Sequence, residues 1–341
     1  MLKKIFALLL LVGVLAAGYL YYEVMARPLV PESTGNVEIT IPTGASYEQV
    51  LDSLSALGVH PNRTVFDPLA ERMNWKKEQM RAGRFALEPG MSAVELIRRL
   101  RAGRQQTAEV VLTVEREPMN VAAKAARFLE ADSLAFVRLF QDEDYLRSIG
   151  YTPETLQTLF IPNTYELYWN ASPREFVDRM IKEHARFWDA DGRRAKAEKL
   201  GLTPAEVYTL ASIVYSESLA RSEQPRIAGL YLNRLRQGIK LQSDPTAVFA
   251  NRVFGIKRVL NKHIEVDHPY NTYFYAGLPP GPIAMPTVSA IDAVLNPEQH
   301  DYLYMCAKGD NSGLHNFAET LAGHTRNIAV YVANLKARGL R

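Results

Sequence analysis

The sequence predicts an α+β protein in three parts: one apolar N-terminal helix, a small α+β module, and a larger mixed α/β domain dominated by helices. Three observations carry that prediction. Residues 5–22 contain no charge, and a similar serine-capped segment occurs twice with an offset of 46 residues, from Ser46 to Ser92. Two complete helix starts, at Ser172 and Thr203, open the long helical stretches that follow.

Composition limits the function classes. The 341 residues are 47% hydrophobic and 23% charged, enough apolar material for two packed domains. Forty basic against 37 acidic residues give a net charge of +3, too balanced for a nucleic-acid partner. Cys306 is the only cysteine, which excludes an intramolecular disulfide and a thiolate metal cluster.

At the N-terminus Lys3 and Lys4 precede the charge-free run, which closes on Tyr19, Tyr21, Tyr22 and Glu23. This pattern predicts a single membrane span with an aromatic belt, residues 1–23 including a short cytoplasmic tip. A cleaved signal peptide is the rival, disfavoured because no small-x-small site follows and no lipidation cysteine is present. The flanking lysines place the remaining chain outside the cytoplasmic (inner) membrane, in the periplasm or on the outer face. Residues 24–35, rich in Pro, Gly, Ser and Thr, are expected to be a linker.

The repeated segments are Gly44-Ala-Ser46-Tyr-Glu-Gln49 and Gly90-Met-Ser92-Ala-Val-Glu95. Each sets a serine three residues before Gln or Glu, the capping box that starts a helix, and each follows an extended stretch, 37–42 and 85–89. Residues 36–106 thus form a small α+β module. It resembles LysM-like modules, which hold N-acetylglucosamine polymers; a spacer without glycan affinity is the alternative. Arg98, Arg99, Arg101 and Arg104 read as a solvated helix end near the negative pole of the macrodipole.

In residues 107–341 alternation predicts a strand at 109–114, and periodicity predicts helices at 119–129 and 133–140. Ser172, Pro173 and Glu175 start a helix expected to run to about residue 197, stopped at Leu200 and Gly201. Thr203, Pro204 and Glu206 start the next. Its residues Val207, Leu210, Ile213 and Val214 make one apolar stripe, and Glu217 falls on it. Desolvation there raises a carboxyl pKa, as a general acid near neutral pH requires. The competing reading is an exposed ion pair with Arg221, four residues on.

Further along stand Asn233-Arg-Leu-Arg-Gln-Gly238, Leu241-Gln-Ser-Asp-Pro-Thr246, Tyr270-Asn-Thr-Tyr273, Gly277-Leu-Pro-Pro-Gly-Pro-Ile283 and His315-Asn-Phe317. Together with Ala211-Ser-Ile-Val and Glu217, this ordered set resembles the MltG (YceG-like) family of endolytic murein transglycosylases, from about residue 108 to the C-terminus. The family often carries an acidic residue two positions before its catalytic glutamate; here that place is Tyr215. The resemblance implies a YceG-like catalytic domain over 107–341 and glycan strands of peptidoglycan as substrate. It further implies that Glu217 protonates the bond after MurNAc and then deprotonates the sugar's own C6 hydroxyl, leaving an anhydro end. Cell-wall synthases are the partners it implies, with growing strands ended by the cut.

Other candidates surround that glutamate. Asn233 and Gln242 are amides suited to acetamido groups, or to buried backbone. Asp244 either serves with Glu217 as a second carboxylate, giving an ordinary muramidase, or starts the helix carrying Thr246. Tyr270, Asn271, Thr272 and Tyr273 combine flat rings with hydrogen-bonding groups for a sugar face, and Leu278 and Pro279 sit in a loop stiffened by three prolines. Asn163, Tyr165 and Glu166 are expected to line the groove, with Glu166 another candidate carboxylate, and His315 to lie on a strand after a 309–313 turn. The seven histidines lack the spacing of a helical ligand pair, so neither a metal nor another cofactor is expected. A non-catalytic glycan-binding scaffold is the reading from a different class.

Overall fold

The structure, a computed structural model, describes residues 1–32, 35, 37–256 and 259–340. Ser33 and Thr34 of the expected linker, Asn36 at the start of the expected module and the terminal Arg341 lie outside the described residues. The chain divides into two compact units. The first is Met1–Val110 with Phe128–Ala131 and Glu166–Ser172; the second is Val111–Arg127, Asp132–Tyr165 and Pro173–Arg341.

In the first unit, helix α1 (Leu2–Tyr21) continues through a π-helical turn to Ala26. The resulting helix has a mean hydropathy of 2.2 and no buried residue in its apolar span, long and apolar enough to cross a membrane. Two residues past it the chain enters a packed core. Leu29 and Val30 are buried, and both their amides donate to the Met91 carbonyl.

The module itself runs β1 (Val37–Ile41), α2 (Tyr47–Ala56), α3 (Arg63–Arg72), β2 (Gly83–Leu87) and α4 (Ala93–Ala102). β1 and β2 pair antiparallel, Val37 opposite Leu87 and Ile41 opposite Gly83. Their alternate residues Ile39, Ile41, Phe85 and Leu87 all turn inward. Both predicted capping boxes form, Ser46 with Gln49 and Ser92 with Glu95. The buried Trp75 ring meets Tyr47 and Phe66 edge-on at 5.5 and 5.9 Å. Of the arginines after α4, Arg99 donates to the Ala86 carbonyl and pairs with Glu88, and Arg101 donates to the Met73 carbonyl.

Strand β3 (Thr107–Leu112) pairs with β4 (Asn163–Tyr168). The second unit contains α5 (Pro118–Ala125), α6 (Ser133–Phe140), α7 (Glu143–Ser148), α8 (Pro173–Asp189), α9 (Arg193–Lys199), α10 (Pro204–Glu217), α11 (Gln224–Arg236), α12 (Asp244–Asn251), α13 (Asn261–Ile264) and α14 (Val288–Leu295). An antiparallel hairpin, β5 (Tyr304–Ala307) and β6 (His315–Ala318), and α15 (Leu321–Ala337) complete it. Phe136, Phe160 and Phe176 cluster at ring distances of 5.4 and 6.2 Å. Around α10 pack α11, α12 and α14.

Three expectations change. The long helix after Ser172 is two helices, because Asp191 and Gly192 take left-handed φ of 55° and 66° and break it. The helix expected at 119–129 ends at Ala125. Most consequential, α10 is not amphipathic: every residue from Val207 to Val214 is buried. Ser212 Oγ donates to the Thr209 carbonyl and accepts from the Ile283 amide, and Tyr208 Oη donates to the Phe160 carbonyl. A helix buried all round is a core element, and it delivers its last residue where a surface helix would deliver a face.

Candidate active site

That last residue is Glu217. The helix stops there because Ser218 turns extended, at φ −146° and ψ 128°, so Arg221 is off the helix and the i,i+4 pairing does not arise. The carboxyl sits at the negative end of the α10 dipole, which disfavours its ionised form. Its Oε1 accepts from Tyr231 Oη at 2.6 Å and from Ser243 Oγ at 2.5 Å. No hydrogen bond from a described residue reaches Oε2. Burial pushes the pKa up, the two hydroxyl donors pull it down, nearby Asp244 adds an upward push and His315 a downward one; the net direction is up.

Each donor has its own support. Tyr231 lies inside α11 and is fully buried. Ser243 stands at the N-cap position of α12, where a serine ordinarily caps its own helix, yet it makes no capping bond and donates to Glu217 instead. Its backbone is locked by two threonines. The Ser243 amide donates to Thr272 Oγ1 at 3.0 Å, Thr246 Oγ1 donates to the Ser243 carbonyl at 2.6 Å, and the two threonine hydroxyls meet at 2.7 Å.

Around Glu217 opens a cavity of about 500 Å³, whose walls include Tyr231, Arg234, Gln242, Asp244, Tyr273 and His315. Asp244 is exposed at the first turn of α12, and its Oδ1 accepts from Tyr273 Oη at 2.6 Å. Arg234 is almost wholly buried and directs its donors to the carbonyls of Lys240, Leu241 and Leu303 and to Gln242 Oε1. Gln242 holds a left-handed φ of 51°. His315 is oriented by a buried carboxylate: Glu223 takes its backbone amide on Oε1 and faces its Nδ1 with Oε2, each at 2.8 Å.

Of the residues expected to contact substrate, Gln242, Asp244, Tyr273 and His315 line this cavity with Glu217. Others hold it from behind. Thr246 and Thr272 brace Ser243, and Asn271 Nδ2 ties down the carbonyls of Ile264 and Val266. Asn233 is a correction of the acetamido reading, because its Nδ2 is committed to the carbonyls of His300 and Tyr302. Tyr165 is another: it is 3% exposed and its hydroxyl donates to the Ile161 carbonyl, so it packs the core. Asn163 and Glu166 are exposed on β4. Tyr270 packs on Phe249 at 4.8 Å and lines a different cavity, and neither Leu278 nor the buried Pro279 reaches the Glu217 cavity. Tyr215 lines an adjoining cavity with Ser216 and Asp244. Sequence reasoning missed Tyr231, Ser243, Glu223 and Arg234. Ser243 and Arg234 carried a signal, inside the 241–246 and 233–238 segments; Tyr231 and Glu223 carried none.

Residues 39–330 match the profile of the YceG-like family. An endolytic murein transglycosylase of Bacillus subtilis is 27% identical over 337 residues, covering 94% of this chain and 92% of that protein. The endolytic murein transglycosylase of Streptococcus pneumoniae is 25% identical over 350 residues, covering 93% of this chain but 63% of its own length, so this chain spans less than two thirds of that relative. The crystal structure of a yceG-like protein from Listeria monocytogenes superposes with a TM-score of 0.55 at 25% identity, covering 85% of this chain and 98% of that one.

Proposed function

The chain belongs to the YceG-like family, and from that membership we propose that it is an endolytic peptidoglycan lytic transglycosylase with Glu217 as its single acid and base. The observation that carries this reading is the asymmetry of the Glu217 carboxyl: both hydroxyl donors meet Oε1, and Oε2 remains for the proton that moves. Protonated Oε2 gives its proton to the oxygen linking MurNAc to GlcNAc, and the anomeric C–O bond breaks with its electron pair on that oxygen. The MurNAc C6 hydroxyl then bonds to the anomeric carbon and returns its proton to Glu217. An intramolecular nucleophile needs no second carboxylate to activate a water, because its effective molarity is high. Burial raises the Glu217 pKa and so favours the acid form that the first step uses.

The apolar helix 2–26 supports anchoring in the cytoplasmic membrane, and the β1–α2–α3–β2 order supports a LysM-like role in holding glycan for the first unit. On this reading the enzyme cuts nascent strands beside the cell-wall synthases that make them, ending their elongation. A two-carboxylate muramidase is the second reading, favoured by the presence of Asp244 in the same cavity.

Digestion of purified peptidoglycan by the full chain and by Glu217→Gln, with the ends identified by mass spectrometry, separates these readings. Anhydro-MurNAc ends that disappear in the variant are the expected result. Reducing ends assign the chemistry to the Asp244 muramidase, and intact strands with the wild type leave a glycan-binding scaffold.

A further inference from the structure

Two further cavities follow the Glu217 cavity among the described residues of the second unit. One of about 470 Å³ shares Asp244 with it and is walled by Arg116, Tyr215, Ser216 and Phe249. The next, of about 400 Å³, shares Arg116 and Phe249 with that one and is walled by Met119, Gln157, Tyr270 and Glu154. The three cavities therefore adjoin in sequence, leading away from the catalytic carboxyl. The far one differs in chemistry. Phe140, Phe249, Tyr270 and Met119 make most of its wall apolar, and its Gln157 is 3% exposed, with Nε2 committed to the Glu115 carbonyl and Oε1 lacking a donor among the described residues. Charges of both signs stand beside it. Arg252 is paired with Glu117, and Arg116 lies over the Phe254 ring at 3.9 Å, but among the described residues neither Arg116 nor Glu154 has an ion-pair partner.

An apolar hollow with an unmet carbonyl acceptor, and with one cation and one anion outside any ion pair among the described residues, complements a ligand with small aliphatic groups, amide N–H donors, a carboxylate and an ammonium. A sugar ring offers neither charge, and a lipid chain leaves the amide oxygen unmet. We propose that this cavity is a subsite for the peptide stem borne by MurNAc, so that the enzyme grips a strand by its peptide as well as by its sugars. The inference rests on the peptidoglycan-cleaving reading above and adds a second determinant of substrate choice. Tyr270, read from the sequence as a sugar platform, serves the peptide instead.

The test compares initial rates of the full chain on uncrosslinked strands that keep their stems with rates on the same strands stripped by an amidase. The wild type is expected to favour peptide-bearing strands by about tenfold in kcat/KM, the size of one well-formed polar contact set. Met119 is 51% exposed, so Met119→Trp fills the hollow without disturbing the core; it is expected to erase the preference through a raised KM and leave stripped strands cut at the wild-type rate. Equal wild-type rates on both strands overturn the subsite, as does a Met119→Trp variant that slows both equally. A wild type that cuts neither overturns the glycan-cleaving reading itself and the subsite with it.

Discussion

Tyr231 and Ser243 both donate to the ionised form of Glu217 more strongly than to the neutral one, so each holds the pKa below where burial alone would put it. Tyr231→Phe or Ser243→Ala is therefore expected to shift the alkaline limb of the kcat/KM profile to higher pH and to lower kcat by roughly 10–100-fold; an unmoved limb argues that the donors only pack. Because the folded-state pKa of Glu217 is raised, its stability contribution is present at low pH and lost as pH rises through that pKa. Glu217→Gln should consequently match the wild type in acid, where the carboxyl is protonated anyway. It should melt a few degrees higher at neutral pH, and a gap that does not widen with pH counts against the buried acid. Glu223→Gln makes a third case. The amide can present N–H to His315 Nδ1 and push the ring hydrogen to Nε2, a change of tautomer that ¹⁵N shifts of the ring report. Catalysis should drop by about tenfold or more with little loss of Tm if His315 works through Nε2. Glu217 was legible because the helix start and the motif order converge on it. Ser243 was not, since a serine before Asp-Pro reads as a cap, and its donation to a carboxyl 26 positions away leaves no local trace.

Among the elements, the helix starts were the most legible, because a capping box is closed by residues three apart. Ser46, Ser92 and Thr203 all cap as their neighbours dictate. Thr203→Ala should cost about 1 kcal/mol, read as a Tm drop of about 2–4 °C with kcat unchanged. What periodicity could not show is how many neighbours a helix has. α10 carries Thr209 and Ser212 on faces that seemed exposed, and the bonds of the Ser212 hydroxyl to the Thr209 carbonyl and the Ile283 amide make its full burial tolerable. Close approaches were equally hidden. A Cβ on Gly281 would lie 2.0 Å from the Glu154 carbonyl oxygen, and one on Gly229 would lie 2.5 Å from that of Glu298. Gly281→Ala must displace the proline-rich loop, so thermal unfolding should show a loss above about 1 kcal/mol; an unchanged Tm would mean the loop yields freely.

For the whole molecule, the apolar first helix was plain from composition, whereas the stretch after it was misread in character. Residues 24–35 were expected to be a linker, yet Leu29 and Val30 belong to the first unit's core. A chain begun at Arg27 should stay in aqueous solution and keep its Tm. Removing the next four residues as well should lower stability by roughly 3 kcal/mol, the burial of two aliphatic side chains; equal melting of the two would place those side chains outside the fold that matters. The return of 128–131 and 166–172 to the first unit was also invisible, because it depends on long-range packing that no short pattern encodes.

The end of α10 has a consequence for how this chain tolerates change in length. Helix growth is discrete: one residue inserted between Thr203 and Glu217 advances the terminus by about 1.5 Å and swings it by roughly 100°, away from both hydroxyls. With neighbours on every side, the helix has no free face on which to absorb the extra turn angle. Loops on the rim can lengthen or shorten one residue at a time, but this segment is a counted distance. Its permissible lengths are separated by whole turns.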